Sequence, residues 1–409
     1  MTLKVLSEPD FTGREKELKE LESFLNSASE GKGRTIFISG EAGSGKTRLT
    51  REFLNVAKKK GASILAGWCL SDASVPYFPF IEAFNAYFAS IDDESLNLQQ
   101  QGNQLSMAGV AQIRDEEQAV TTWLTGPRPI EKPGRQTEFS PQVWKDQAFA
   151  FVAKTLRILS AQALIVLLIE DLQWADSASL ALLHYIARII RSERLLVITT
   201  LRSEELTADA EGRPRPLAEV MRLMRHEDLF VEMKLSSLTQ DDISKIAGSL
   251  IGGSLQPKFA EKLASESRGN PLFVVESLRM LTEGRSLVQE DNLWNLATDK
   301  LEIPAKIKDV ILRRLAVLKY AQRRVLDAAS VIGEKFETDF LASILGLDAL
   351  EILETLNFIA QSTSIVSVEG SLYRFDHARS REVLYEALSP PLKKGYHARI
   401  AERLENVKS

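Results

Sequence analysis

At 409 residues the chain has room for two or three domains, each with its own core. Its 44% hydrophobic and 26% charged residues are the balance of an ordinary soluble protein, and a net charge of −5 excludes a global basic field for nucleic acid or anionic membrane. A single cysteine, Cys69, rules out an internal disulfide framework, while MTLKVLSEPDF lacks the apolar core of a signal peptide and the apolar run Ala163 to Ile169 is too short to span a bilayer, so a cytoplasmic location with no membrane partner is expected.

In chain order, FTGREKELKELESFLN places Thr12 three residues before Glu15, the spacing of a capping box, and Leu18, Leu21 and Leu25 recur at helical intervals. RTIFISGEAGSGKTRLTREFLNVA reads as strand, glycine-rich turn and helix. ASILAGWC reads as a second strand, and VPYFPFIEAFNAYF opens a helix behind its prolines. Residues 91–141, with QQQGNQ and TGPRPIEKPGRQTEFSP, are polar and rich in Pro and Gly, which predicts a surface insertion with some helix and a mobile arm. VWKDQAFAFVAKTLRILSA then predicts a helix leading into the strand LIVLLIE; SLALLHYIARII predicts a helix, and LLVITTLRSEEL a strand running into a loop. This alternation from 35 to 202 predicts an α/β fold whose parallel sheet is covered on both faces.

From about 236 the pattern is helical only, through LTQDDISKIAGSLI, PKFAEKLASESRG and NPLFVVESLRMLTEG. A further unit starts at IPAKIKDVILRRLAVL, where Pro304 suits a helix start. In it, SIVSVEGSLYRFDH holds two alternating strands around Glu369-Gly370, a hairpin signal, and two helices close the chain. Helices followed by a two-stranded wing predict a winged-helix domain. The expected division is 1–235 for the α/β domain, 236–300 for an all-α domain and 301–409 for the winged helix.

GEAGSGKT at 40–47 fits G-x-x-x-x-G-K-[ST] between a predicted strand and a predicted helix, the context that identifies a phosphate loop. Gly40, Gly43 and Gly45 allow a tight backbone whose amides surround phosphate oxygens. Lys46 would reach the β- and γ-phosphates of ATP, the Thr47 hydroxyl would bind Mg²⁺, and the helix N-terminus adds its dipole. Glu41, Ala42, Ser44 and Arg48 complete the expected nucleotide-contact set.

LIVLLIEDLQWAD ends an apolar run on two adjacent acids, a costly arrangement without a positive partner. Acids at the carboxyl edge of a neighbouring parallel strand would face the phosphate loop, one holding Mg²⁺ and the other polarising the attacking water. Glu170 falls at the metal position by simple register and Asp171 at the water-activating one. P-loop ATPases of this kind usually order these acids Asp then Glu, so the reversal leaves the two assignments open and implies slow hydrolysis. Asp176 reads as the cap of the following helix. Trp68 and Trp174 read as core.

Together these segments resemble the signal-transducing ATPases with numerous domains, the STAND class of AAA+-related regulators. FTGREKELKEL is similar to their FxGRExEL motif, which implies that the backbone near Phe11 and the side chain of Arg14 lie by the nucleotide base. LLIEDLQWADSASLALL resembles their extended Walker B segment, and ITTLRSEEL their sensor strand, implying that Thr200 or Arg202 detects the γ-phosphate. RGNPLFVVESL resembles the lid-helix motif, in which Pro271 packs by adenine, and YRFDHARSREVLYEAL the winged-helix signature. There His377 would touch the β-phosphate of ADP, although this chain reads Asp376-His377-Ala378 where relatives have Met-His-Asp. Taken alone, Arg14 and Arg202 read as surface arginines and Pro271 as a helix-start proline.

The resemblance implies an ATP-binding switch, closed with ADP and open with ATP, that controls homo-oligomerisation or a signalling protein partner. In that class helical repeats would follow ENVKS and an effector can precede the ATPase motif, so the sequence reads as truncated or unusually short, with no room for an effector ahead of it. The alternative is a DNA-binding AAA+ initiator of the archaeal origin-recognition kind. Against that, the wing SIVSVEGSLYRFD carries Glu369 and Asp376 with only Arg374 as a base.

Overall fold

The sequence RTIFISG forms strand β1 (Arg34–Gly40), and every residue after Arg34 is buried. Residues 9–69, 75–100, 141–206, 215–290, 293–297, 307–316, 318–363, 365–376 and 378–407 are described in this computed structural model. They fall into two compact units, one spanning Arg14–Ser236 and the other joining Gly13 and the described residues before it to Ser237 and beyond.

The Arg14–Ser236 unit is built on a five-stranded sheet ordered β2-β3-β4-β1-β5, parallel throughout. The other strands are β2 (Ser63–Trp68), β3 (Ile165–Glu170), β4 (Leu195–Arg202) and β5 (Val231–Lys234). β4 is buried along its whole length, as strands covered on both faces are. This is the α/β sheet expected. Its order differs in one respect: β3, which ends in the acids, is not the neighbour of β1, because β4 lies between them. Alternating strands and helices dictate parallel pairing and crossover hand but not which strand inserts where.

Among the described residues six helices cover the sheet: α1 (Glu15–Ser29), α2 (Lys46–Lys59), α3 (Phe78–Gln100), α4 (Pro141–Gln162), α5 (Ser177–Ile189) and α6 (Pro216–His226). Phe80, Phe84 and Phe88, spaced by one turn on α3, enter the sheet core. Gly67 of β2 permits this packing, since a Cβ there would sit 1.8 Å from the Pro79 carbonyl oxygen. α3 runs to Gln100 and so occupies the start of the expected insertion; the expected arm lies outside the described residues. The capping box does not form. α1 starts behind Arg14 with no side-chain cap, and the Thr12 hydroxyl donates to Asp10 O at 3.3 Å instead.

Among its described residues the second unit holds two apolar cores. The first belongs to α7 (Gln240–Ile251), α8 (Pro257–Ser267) and α9 (Pro271–Glu283). α7 carries a reciprocal capping box between Thr239 and Asp242. Among these helices is a small sheet ordered β6-β8-β7, from Ser254–Leu255, Leu293–Leu296 and Leu287–Glu290. That sheet corrects the reading of this stretch as helical only: the strands are two to four residues long, too short to show a two-residue period.

The second core gathers α10 (Ile307–Leu315), α11 (Tyr320–Ile332), β9 (Lys335–Phe336), α12 (Thr338–Leu345), α13 (Ala349–Thr363), β10 (Val366–Glu369), β11 (Leu372–Phe375), α14 (Ala378–Ala387) and α15 (Pro390–Val407). β10 and β11 pair antiparallel about Gly370, whose φ of +64° suits the tight turn, and β9 pairs with β11. This is the expected order of helices, hairpin wing and two closing helices. Pro304 lies outside the described residues. No helix among the described residues is long and apolar enough to cross a membrane.

Four charges are buried between α9, α10 and the end of β11. The guanidinium of Arg314, fully buried, donates to Glu276, also fully buried, and to the Thr363 carbonyl. Arg279 donates to Asp376 Oδ2 at 2.9 Å and to Glu276 Oε1 at 3.3 Å, and Arg314 stands 3.6 Å from Asp376. Among the described residues two cations and two anions therefore face one another here. Asp376 is thus an interior ion-pair partner rather than a surface charge of the wing. Glu369 is paired as well, with Lys335 at 2.9 Å and Arg374 at 3.3 Å.

Candidate nucleotide site

β1 ends at Gly40 and α2 begins at Lys46, so GEAGS turns the chain at the carboxyl edge of the sheet. Gly43 (φ +80°) and Gly45 (φ +95°) adopt left-handed backbone that favours glycine. A Cβ at Gly40 would meet Ser44 Oγ at 2.7 Å and Leu235 Cβ at 3.2 Å, so the glycine leaves the Ser44 hydroxyl its present place. Lys46 is buried to 8% exposure, with Nζ donating to the carbonyls of Gly40 at 2.8 Å and Glu41 at 2.9 Å. Its neighbour Thr47 is exposed, while Arg48 pairs with Glu52 along α2. Ser44 Oγ is buried and finds no hydrogen-bond partner among the described residues. An orphaned hydroxyl, left-handed glycines and a lysine at a helix N-terminus fit a phosphate group.

The two acids part company. Glu170 Oε1 accepts from Thr50 Oγ1 at 3.3 Å, and Thr50 lies one turn beyond Thr47 on α2. Asp171 takes a left-handed conformation (φ 55°), uncommon outside glycine, and faces β4. Its amide donates to Thr200 Oγ1 at 3.0 Å, and its Oδ1 accepts from Gln173 Nε2 at 2.8 Å. Gln173 Oε1 in turn accepts the Arg202 amide at 3.1 Å. The Arg202 guanidinium lies over the Trp174 ring at 4.8 Å. Thr200 and Arg202 are buried on β4, and Gly40 faces Arg202 in register.

Arg14 is no surface arginine. It is 5% exposed and donates from Nη2 to Ser44 O at 3.2 Å and Ser236 O at 2.5 Å, with Glu17 at 3.1 Å from Nη1. Asp176 is the helix cap expected, accepting the amides of Ala178 and Ser179 at 2.9 and 3.0 Å. Trp68 is not core: at 46% exposure it ends the edge strand, opposite Glu170 in register. Beside it Cys69 is buried, and burial, then Asp171 and Asp176, hold its thiol well above the usual range. Phe11 is half-buried outside regular structure in the second unit. Pro271 there is the first residue of α9, behind Asn270, whose side chain caps Leu272 N at 3.1 Å. His377 lies outside the described residues.

Three participants carried no individual sequence signal: Thr50, Gln173 and Glu204. Glu204 sits on the helical turn Ser203–Leu206 after β4, and its Oε1 accepts the Ala42 amide at 2.9 Å.

Residues 10–198 match the AAA ATPase domain family. The AAA match runs from ahead of α1 into β4, and so contains the phosphate loop and both acids. An uncharacterized protein of Rhizobium meliloti is 24% identical over 401 residues, covering 95% of this chain and 36% of its own length. Among solved structures, a STAND protein with a tetratricopeptide repeat sensor from Pyrococcus horikoshii aligns with 100% of this chain and 47% of its own, at a TM-score of 0.50 and 17% identity. The Orc1 protein of Aeropyrum pernix in complex with DNA aligns with 93% of this chain and 94% of its own, at a TM-score of 0.40 and 16% identity. The chain therefore spans about a third of the bacterial relative and about half of the Pyrococcus protein. The AAA match and the first of these structures agree with the P-loop sheet described above; at such identity the likeness is one of fold.

Proposed function

We propose that this chain is a nucleotide-driven switch of the STAND type, binding ATP and hydrolysing it slowly, closed with ADP and open with ATP. In this reading 1–235 is the ATPase domain, 236–300 its lid and 301–409 the winged helix. Lys46 and the amides of Gly40–Thr47 hold the phosphates, and Thr47 with Glu170 takes Mg²⁺, which supplies charge neutralisation at the terminal phosphates. The Thr50–Glu170 hydrogen bond supports that division, because it ties Glu170 to the helix face that carries Thr47. Asp171, held by Gln173 and by Thr200, is then the group that orients and deprotonates water. Glu170→Gln is expected to shift the Mg²⁺ dependence of hydrolysis, and Asp171→Asn to cut turnover about 10²-fold or more with nucleotide affinity nearly unchanged. Steady-state phosphate release with a Mg²⁺ titration checks both; wild-type turnover in the pair would remove the Walker B reading.

One observation carries the switch over the DNA-binding alternative. α13 precedes the wing, at the place where a DNA-reading winged helix carries its recognition helix. Its charged residues, Glu351 and Glu354, are both acidic. Its outer face exposes Leu350 (61%), Leu353 (42%) and Phe358 (53%). Such a surface repels phosphate and offers apolar area to protein. Light-scattering mass and small-angle scattering in ADP and in a non-hydrolysable ATP analogue should therefore differ in assembly or compactness. Tight, salt-sensitive duplex binding without that difference would favour the initiator reading instead.

A further inference from the structure

The phosphate loop already holds an anion of its own. Glu204 Oε1 accepts the amide of Ala42, third residue of GEAGSGKT, at 2.9 Å, across 162 residues of sequence. Loop amides of this kind are what bind phosphate oxygens, so a carboxylate on one of them stands where a negative charge is favoured. The turn that carries it is braced on its other side, because Glu205 pairs with Arg215 at 2.5 Å. Two buried hydroxyls flank the contact without hydrogen-bond partners among the described residues, Ser44 in the loop and Ser203 at the start of the turn. Both are donors suited to further anionic oxygens. Glu204 itself is solvent-exposed.

We propose that Glu204 is an internal competitor of the terminal phosphate and sets the preference of the loop for a nucleoside diphosphate over a triphosphate. The inference rests on the phosphate-loop reading above. A triphosphate brings more negative charge than a diphosphate to the outer end of the loop, and must either displace the carboxylate from Ala42 or endure its repulsion. The diphosphate, held deeper by Lys46, meets less of it. Ejection of Glu204 also unties the Ser203–Leu206 turn from the loop, and that turn follows directly on Arg202 of β4. The same side chain thus discriminates between nucleotides and carries the difference into the segment after β4.

The test is calorimetry on the full chain with ADP and with a non-hydrolysable ATP analogue. Glu204→Gln keeps the shape and an acceptor oxygen for Ala42 but removes the charge. It should tighten the ATP analogue about tenfold and ADP less than about threefold, and the change in ratio should shrink as salt rises, because the group is exposed. Glu205→Gln, on the same turn but facing Arg215, should leave the ratio unchanged. An unaltered ratio in Glu204→Gln, or equal changes for both nucleotides, overturns the proposal while leaving nucleotide binding at the loop intact. If the wild-type chain binds neither nucleotide, the phosphate-loop reading fails and Glu204 with it.

Discussion

Lys46→Ala is expected to abolish tight nucleotide binding, lowering affinity for ATP and ADP at least 10²-fold. The amine is buried at the mouth of α2 and coordinated by two loop carbonyls. That position holds a point charge ready for phosphate oxygens with little further reorganisation. Charge-assisted hydrogen bonds contribute roughly 1.5–3 kcal/mol each, and the ammonium can offer more than one. Alanine removes the donors and the charge but no apolar contact of the sheet core, so the melting temperature should stay close to wild type. Unchanged ATP affinity by calorimetry, in a variant that melts normally, would show that GEAGSGKT is not a phosphate loop.

Arg314→Met should lower the stability of the second unit by about 3–5 kcal/mol, because it strands buried carboxylates whose charge the guanidinium had balanced. Among the described residues Glu276 would keep only Arg279, at 3.3 Å, and the Thr363 carbonyl would lose the Arg314 donor. The reverse truncation, Glu276→Leu, leaves Arg314 buried opposite Asp376 at 3.6 Å and should cost a similar amount. Replacing both residues at once removes one charge of each sign. The double variant should therefore be more stable than the sum of the singles predicts, by 1 kcal/mol or more. Urea denaturation followed by tryptophan fluorescence reads all three. Single variants within 0.5 kcal/mol of wild type would mean that the four charges do not hold these helices together.

The parts of this chain legible in its sequence are those whose cause is local. GEAGSGKT is eight consecutive residues whose glycines and lysine act on each other, and Asp176 caps amides two and three residues away. The hairpin at Glu369-Gly370 is equally short-range. Features that depend on distant partners were not legible. Asp376 looks like a wing surface charge until Arg279, 97 residues earlier, is found beside it. Gln173 is one more polar residue in DLQWAD until the Arg202 amide, 29 residues on, is seen to need it. Trp68 looks like core by composition, yet it ends an edge strand, and which strand lies at the edge is a property of the whole sheet. The same holds for β4 between β1 and β3. Arg14 belongs to this group too, since its burial depends on carbonyls 30 and 222 residues away.

That arginine has a mechanical consequence. The chain passes from one compact unit to the other twice, after Gly13 and after Ser236. One guanidinium, at the first residue beyond the first crossing, grips the carbonyl of the last residue before the second, and with the same nitrogen grips the carbonyl of Ser44. The two tethers are thus bolted together, and the bolt is seated in the phosphate loop. Both tethers and the backbone of the phosphate loop at Ser44 therefore share one guanidinium, as two ropes share a cleat.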